Sequence, residues 1–255
     1  MMGMLRAVLR SAAVLLTYAG IGVAGLLVLP LGMVSTMGHR RALVFLMGLW
    51  GRCSCFIFNI HCRVEGFRAV QAGGLVVANH IGTPDIFVLA SRFPGFFVSK
   101  AEIADWPLFN VLARLGQTIF VDRARRHQIQ WIVRAIEARI EEGFRVVVFP
   151  EGGAGLGEDV FPFKPSVFEA AIRAGRPVVP VSIAYQDLNH PSVACWTEES
   201  FVTHIVRLLK NPRLPVTLYV HEALAGSGER RELAKTAEKR IREKFLNLRD
   251  QAPTG

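Results

Sequence analysis

A histidine and an aspartate stand five residues apart in the segment 79–85 (NHIGTPD), directly after a short apolar run. A neutral imidazole can take a proton from a hydroxyl near neutral pH, and a carboxylate on its other ring nitrogen fixes the tautomer and stabilises the cation. The spacing therefore predicts a general base, His80, oriented by Asp85. The structural alternative is a helix start with Thr83 as N-cap, Pro84 in the first position and Asp85 favoured by the helix dipole.

A Gly-rich stretch follows a second apolar run, where Pro150-Glu151 leads into Gly152 and Gly153. Glycine lets backbone N–H groups approach an anionic ligand closely. A third apolar run ends in Asp122-Arg123. An arginine at the carboxyl edge of a sheet, where α/β proteins bind ligands, suits phosphate or carboxylate, and the alternative is a surface turn.

The candidate residues must be positioned by secondary-structure elements. After residue 65, short apolar runs alternate with amphipathic segments. Alternating strands and helices predict an α/β fold with a mostly parallel central sheet flanked by helices. Pro180 indicates an edge strand or a strand start. The predicted strands are 56–64, 75–78, 96–99, 118–121, 145–149, 178–183 and 216–221.

Two segments show the helical repeat of apolar residues, 129–140 and a longer one from about 227 to 248. The segment 187–215, which contains Trp196 and an amphipathic run at 201–209, predicts an inserted loop and helix near the rim of the sheet. We expect two parts, a hydrophobic membrane-anchoring helical segment at 1–55 and an α/β domain at 56–250.

The N-terminal part is apolar and basic. No charged residue occurs from Ser11 to Gly38, which is long enough for a helix of about 20 residues to cross a bilayer. No acidic residue precedes Glu65. Basic groups flanking apolar runs fit a cytoplasmic membrane face, and their presence on both flanks favours a monotopic helical pair over a single span.

Composition narrows the possible partners. The 255 residues carry a net charge of +9, and 51% of them are hydrophobic, which indicates a membrane and anionic partners. No zinc-finger spacing or RNA-binding aromatic motif occurs, so we expect no nucleic acid partner. The spacing of the four cysteines matches no metal site, and we interpret them as reduced thiols of a cytosol-facing protein; we expect no metal.

Four short sequence blocks follow one another along the chain. They are Asn79-His80 with Asp85, then 120–123 (FVDR), 149–152 (FPEG) and 179–181 (VPV). In this order they resemble the glycerolipid acyltransferase family, typified by bacterial 1-acylglycerol-3-phosphate acyltransferase with its His-x4-Asp (HX4D) motif. The resemblance spans roughly residues 63–225, and the hydrophobic N-terminus is similar to the membrane anchor of that family.

The resemblance implies that His80 activates the acceptor hydroxyl and that Asp85 orients it. It also implies a set of substrate-binding residues, with Arg123 holding the acceptor phosphate. That set is Asn79, Lys100, Arg123, Glu151, Gly152, Gly153 and Lys164. The third block departs from the family, because Gly153-Ala154-Gly155 replaces the usual Thr and Arg, and Lys164 supplies some of the lost positive charge.

The resemblance implies transfer of a fatty acyl group from acyl-CoA or acyl carrier protein, without a resident cofactor. The acceptor is a lysophospholipid, 1-acylglycerol-3-phosphate in the first place, and the departures also resemble relatives that acylate lyso-ornithine lipid. No serine or cysteine lies in a nucleophile-elbow context, which disfavours an acyl-enzyme. Two rivals are a metal-dependent hydrolase with His80, Asp85 and Glu151 as ligands, and a non-catalytic membrane lipid-binding protein.

Overall fold

The computed structural model describes residues 2–67, 73–101, 109–121, 128–187, 191–196 and 199–251. The strands are β1 (Ile60–Gly66), β2 (Gly74–Ala78), β3 (Phe96–Lys100), β4 (Ile119–Val121), β5 (Arg145–Val148), β6 (Val178–Tyr185) and β7 (Leu214–Val220). The helices are α1 (Met2–Val28), α2 (Leu31–Val34), α3 (Thr36–Ile57), α4 (Thr83–Arg92), α5 (Phe109–Leu115), α6 (Gln128–Glu141), α7 (Phe168–Arg173), α8 (Phe201–Lys210) and α9 (Arg230–Asp250).

The strands form one sheet in the order β1-β7-β6-β2-β5-β3-β4. Neighbouring strands are parallel except at one place, where β6 and β7 are antiparallel. Every residue of β2 and of β6 is buried, as in a sheet covered on both faces. The α/β class and the mostly parallel sheet flanked by helices are thus confirmed.

Two details of the predicted elements are wrong. The stretch 56–58 was predicted as the start of a strand, but it belongs to the end of α3 and the turn after it. Helix α3 packs closely on α4, since a Cβ on Gly51 would lie 2.5 Å from the backbone nitrogen of Ser91, and this packing keeps the apolar run helical.

The second difference concerns Pro180, which lies inside β6, a strand with neighbours on both sides. The β6–β7 ladder begins only at the Val181–Val220 pair, so Pro180 takes part through its carbonyl, which accepts from the N–H of His221 at 3.0 Å.

Helix α1 is apolar and lies along the side of the α/β domain. It is part of the segment 2–34, whose most apolar 18-residue window is only 11% buried. Near its start, Arg6 and Arg10 bond to backbone carbonyls at the end of α8, and near its other end a Cβ on Gly25 would meet Leu115 of α5 at 3.3 Å. Both ends of α1 therefore contact the domain.

The opposite face of α1 is a row of exposed apolar side chains at helical spacing. An apolar stripe of this kind on one side of a helix marks a surface that avoids water. We call it the α1 outer face, and it comprises Leu5, Val8, Leu9, Leu15, Leu16, Val23, Leu26 and Leu27.

Candidate active site

His80 and Asp85 meet at the carboxyl end of β2, as the spacing predicts. Nδ1 of His80 lies 2.8 Å from Oδ2 of Asp85, and the Asp85 side chain is completely buried. The same Oδ2 accepts the N–H groups of Ile81 at 2.6 Å and Gly82 at 2.9 Å. Because the carboxylate only accepts here, Nδ1 carries the hydrogen and Nε2 of His80 is the acceptor.

The start of α4 shows that the catalytic and the structural interpretation of this segment are compatible. The N-cap is Gly82 and the helix begins at Thr83, one residue earlier than predicted. Asp85 accepts the N–H of the N-cap residue, as a first-turn carboxylate does, and also the imidazole of His80. One side chain thus caps the helix and orients the base.

Two segments, the loop after β5 and the inserted segment, hold the backbone around His80. Oε1 of Glu151 accepts the N–H of His80 at 2.6 Å, and the N–H of Gly155 donates to the carbonyl of His80 at 2.8 Å. The N–H of Trp196 donates to the carbonyl of Ile81 at 3.1 Å. The imidazole also stacks on the ring of Phe149, with centroids 4.1 Å apart. His80 is therefore held in place before any substrate binds.

Glu151 is buried, and both of its carboxylate oxygens face the backbone. Oε2 accepts the N–H of Phe161 at 2.7 Å, while Oε1 accepts the N–H of His80. Burial raises the pKa of Glu151 to about 7, with smaller contributions from the charges of Asp85 and Asp159, although the two N–H groups lower it. In this structure Glu151 connects the loop 150–161 to His80.

His80 lines a cavity of about 790 Å³, and most of the cavity wall is apolar. The size is typical of a site for a small organic molecule. The hydrophobic helices α1 and α3 form part of the wall, with Ile21, Gly25, Leu43, Leu46, Met47 and Trp50. The N-terminal segment thus lines the same cavity as His80.

Several predicted binding residues also line this cavity. They are Lys100 at the end of β3, Gly152 and Gly153 in the Gly-rich loop, and Lys164, whose N–H donates to the carbonyl of Pro150 at 3.0 Å. Gly152 has φ +83°, a conformation that glycine adopts most readily. These four residues are placed where a ligand in the cavity would contact them.

The other three predicted binding residues are Asn79, Glu151 and Arg123, and both carboxylate oxygens of Glu151 accept backbone N–H groups, as described above. The Asn79 side chain is buried and its amide pairs with the backbone of Ile183 in β6, donating at 2.9 Å and accepting at 2.8 Å. Its role as a substrate ligand stays a prediction. Arg123 lies outside the described residues. Within the described ranges, no three His, Cys, Asp or Glu side chains come together as a metal site requires.

Two residues of the site escaped the sequence reasoning. The hydroxyl of Tyr185, at the end of β6, donates to Oδ1 of Asp85 at 2.7 Å. Trp196 lines the cavity from the inserted segment, and its ring stacks on His204 of α8 with centroids 5.3 Å apart. No motif marks either residue, although strand β6 extends two residues beyond the prediction and so brings Tyr185 to the sheet edge.

An Asp–His pair at the carboxyl edge of an α/β sheet, with the histidine lining a mostly apolar cavity, is an arrangement in which a general base can act beside an apolar ligand. Comparison with known proteins assigns the chain to a family of enzymes. Residues 61–184 match the model of the family described as Acyltransferase. The chain belongs to the glycerolipid acyltransferase family and is an acyltransferase.

Individual relatives have the following names and coverage. A lyso-ornithine lipid O-acyltransferase of Pseudomonas aeruginosa is 31% identical, over 94% of each chain. A 1-acyl-sn-glycerol-3-phosphate acyltransferase of Neisseria gonorrhoeae is 36% identical, over 45% of each chain. A structural match is the crystal structure of PlsC, the 1-acyl-sn-glycerophosphate acyltransferase of Thermotoga maritima. The two structures superpose with a TM-score of 0.67 over 95% of this chain and 97% of that one, and the sequences are 23% identical, so the chains share the fold.

Proposed function

We propose that this enzyme transfers a fatty acyl group from acyl-CoA or acyl carrier protein to the free hydroxyl of a lysolipid. The observation that carries the proposal is the 2.8 Å contact of Asp85 with His80, which lines the apolar cavity. The acyl chain of a substrate occupies that cavity, while Nε2 of His80 faces the hydroxyl. A general base in this position contributes about 100- to 10,000-fold to the rate.

The transfer proceeds without a covalent acyl-enzyme. Nε2 of His80 takes the proton as the lysolipid oxygen attacks the thioester carbonyl, and Asp85 stabilises the imidazolium. The carbonyl oxygen gains negative charge; when the tetrahedral intermediate collapses, the C–S bond breaks, His80 gives its proton to the departing sulfur, and the products are the ester and a free thiol. Gly153 and Ala154 line the cavity next to His80, and their N–H groups are the donors we assign to the oxyanion.

The acceptor is 1-acylglycerol-3-phosphate in our first proposal. Lys100 and Lys164 line the cavity and supply positive charge for its phosphate, together with Arg123. Lyso-ornithine lipid is the second candidate, since the relative that matches the chain over nearly its whole length carries that name. One acyl-CoA assayed with both lysolipids in parallel separates the two acceptors.

We propose that the enzyme binds one leaflet as a monotopic protein with its site facing the cytoplasm. A spanning α1 would have to leave the domain, whereas both ends of α1 contact α8 and α5. The α1 outer face enters the apolar layer, and the basic, acid-free flanks suit the cytoplasmic surface. Single cysteines introduced at Met2 and Met33 of a cysteine-free variant should both react with an impermeant maleimide from the cytoplasmic side alone.

The decisive experiment is His80→Ala beside Asp85→Asn in membranes supplied with labelled acyl-CoA and each lysolipid. We expect His80→Ala to lower kcat by about 100-fold or more. Unchanged transfer in His80→Ala would exclude it as the base. Wild-type activity that is insensitive to a chelator would exclude the metal-dependent hydrolase. Bound lipid without transfer across a panel of donors and acceptors supports the non-catalytic rival.

A further inference from the structure

The buried carboxylate of Asp85 has two oxygens with different partners. Oδ2 receives the imidazole of His80 and the N–H groups of Ile81 and Gly82, which lie in the same loop. Oδ1 receives the hydroxyl of Tyr185 at 2.7 Å, from a strand 100 residues away in the chain. The contact is buried, and a hydrogen bond to a buried charge is stronger than one at the surface.

The protein places Tyr185 here through the pairing of β6. Ala78 of β2 pairs with Val181 of β6, and Asn79 extends this alignment by two hydrogen bonds to Ile183. Side chains of a strand alternate, so Tyr185 projects on the same face as Val181 and Ile183. Its hydroxyl then reaches Asp85 at the start of α4.

Tyr185 remains a donor throughout the working pH range. Burial, followed by the charge of Asp85 and the hydrogen bond to it, raises the pKa of Tyr185 well above its usual value. The ionised phenolate would face the Asp85 carboxylate at hydrogen-bonding distance, which is unfavourable. The hydroxyl therefore keeps its proton and directs it at Oδ1.

We infer that Tyr185 is a positioning residue of the acyl transfer, which acts through Asp85 to limit the proton affinity of His80. The three donors at Oδ2 orient the carboxylate, and the hydroxyl at Oδ1 withdraws part of its negative charge. Removing that hydroxyl concentrates the charge on Asp85, stabilises the imidazolium form of His80 and leaves less free base at low pH. The kinetic part of this inference rests on the proposed function.

Other titratable groups surround the pair and must be separated from it. Those that interact electrostatically with Asp85 or Tyr185 are His80, Glu151, Cys195, His204, Cys55 and Cys62. Lys100 and Lys164 line the same cavity. Burial lowers the pKa of His204 to about 4, raises that of Cys195 to about 12 and raises that of Glu151 to about 7, so the titration of Glu151 has to be followed apart from that of the imidazole.

The experiment compares Tyr185→Phe, which removes only the hydroxyl, with Tyr219→Phe, the same change on β7 beside His221. In Tyr185→Phe we expect the acid limb of kcat/KM to move to higher pH by about half a unit. Activity then falls about threefold on the acid limb and stays within twofold on the plateau. Equal loss at every pH, or a shift to lower pH, would overturn the inference; Tyr219→Phe should show no shift.

Two further measurements make the test independent of the assay. Carbon-13 NMR of the histidine ring carbons, with the His80 signal identified by its loss in His80→Ala, follows this imidazole apart from Glu151. Its titration midpoint should rise in Tyr185→Phe, and an unchanged midpoint overturns the inference even if the enzyme is active. In the Asp85→Asn background the Tyr185→Phe change should no longer move the midpoint. A shifted midpoint in a protein that acylates no lysolipid would reject the proposed function alone.

Discussion

Gly82 lies so close to Ala194 that a Cβ on Gly82 would come within 2.0 Å of the Ala194 carbonyl oxygen. The backbone of Gly82 is extended, with φ 178°, so the contact and not the conformation requires glycine. The inserted segment thus packs in contact with the turn between His80 and Asp85, and the N–H of Trp196 donates a hydrogen bond to the carbonyl of Ile81 in that turn.

Gly82→Ala should therefore push the 193–196 segment away from the catalytic turn. We expect a loss of about 1–3 kcal/mol in the free energy of unfolding. We also expect kcat/KM to fall about tenfold or more, since small displacements at a reacting centre are costly. Thermal denaturation measures the loss of stability, and tryptophan fluorescence reports the displacement of the segment that carries Trp196. Gly20→Ala on α1, where a Cβ meets nothing within 4 Å, is the matched control, and equal behaviour of the two variants would contradict the prediction.

Glu151 should make folding stability depend on pH. Its pKa is raised to about 7 by burial in the folded protein, whereas an unfolded glutamate titrates near about 4.3. Between these values the unfolded chain has lost the proton that the folded protein keeps, so the free energy of unfolding falls as pH rises. The fall due to this group reaches about 4 kcal/mol and is complete about one pH unit above the folded pKa.

Glu151→Gln imitates the protonated carboxyl and does not titrate. Urea unfolding of both proteins at about pH 5 and pH 8 should show a steeper decline for the wild type than for the variant. The same slope in both proteins would show that Glu151 titrates normally. Glu222→Gln, an exposed change of the same kind, should retain the wild-type slope.

Arg6 and Arg10 join the apolar helix α1 to the C-terminal end of α8. Arg6 donates to the carbonyl of Lys210 at 2.7 Å, and Arg10 donates to those of Leu209 at 3.1 Å and Asn211 at 2.5 Å. Cations stabilise the C-terminal end of a helix, where carbonyl groups lack partners. These bonds fix α8, which follows the segment that brings Trp196 into the cavity.

The double variant Arg6→Ala with Arg10→Ala should loosen α8. Trypsin should cut after Arg207 and Lys210 about fivefold faster, because loss of partly solvated hydrogen bonds that together contribute about 1 kcal/mol favours local opening. The KM for the lysolipid should rise as well. Arg231→Ala removes an exposed charge on α9 and should leave both quantities unchanged; cleavage as slow as in the wild type would show that the arginines do not hold α8.

The α1 outer face should govern membrane binding. Leu16 is 75% exposed, and a charge at the centre of an apolar helix costs about 2.5–3.5 kcal/mol in a bilayer. Leu16→Glu should reduce flotation with phospholipid vesicles about tenfold or more, while leaving the circular dichroism spectrum unchanged. Thr236→Glu adds the same charge to an exposed position of α9 and should float like the wild type. If both variants float normally, α1 is not the membrane surface.

Much of the scaffold was predictable because its signals are local. Apolar runs bounded by polar residues marked the buried strands, and the repeat of Leu233, Ala237, Ile241 and Phe245 marked α9, whose inner face these residues form. The inserted helix was found in the same way. Local signals failed at residues 56–58, where an apolar run continued a helix, and at Pro180, whose strand lies inside the sheet.

The sequence by itself determined the α/β class, the five-residue spacing of His80 and Asp85, and the apolar, acid-free N-terminus, since each depends on neighbours in the chain. The tertiary structure alone decided that Tyr185 donates to Asp85, that Ala194 presses on Gly82 and that α1 and α3 line the cavity. These contacts join residues far apart in the chain. The order of strands in the sheet and the packing of helices on it bring them together, and no local spacing encodes either.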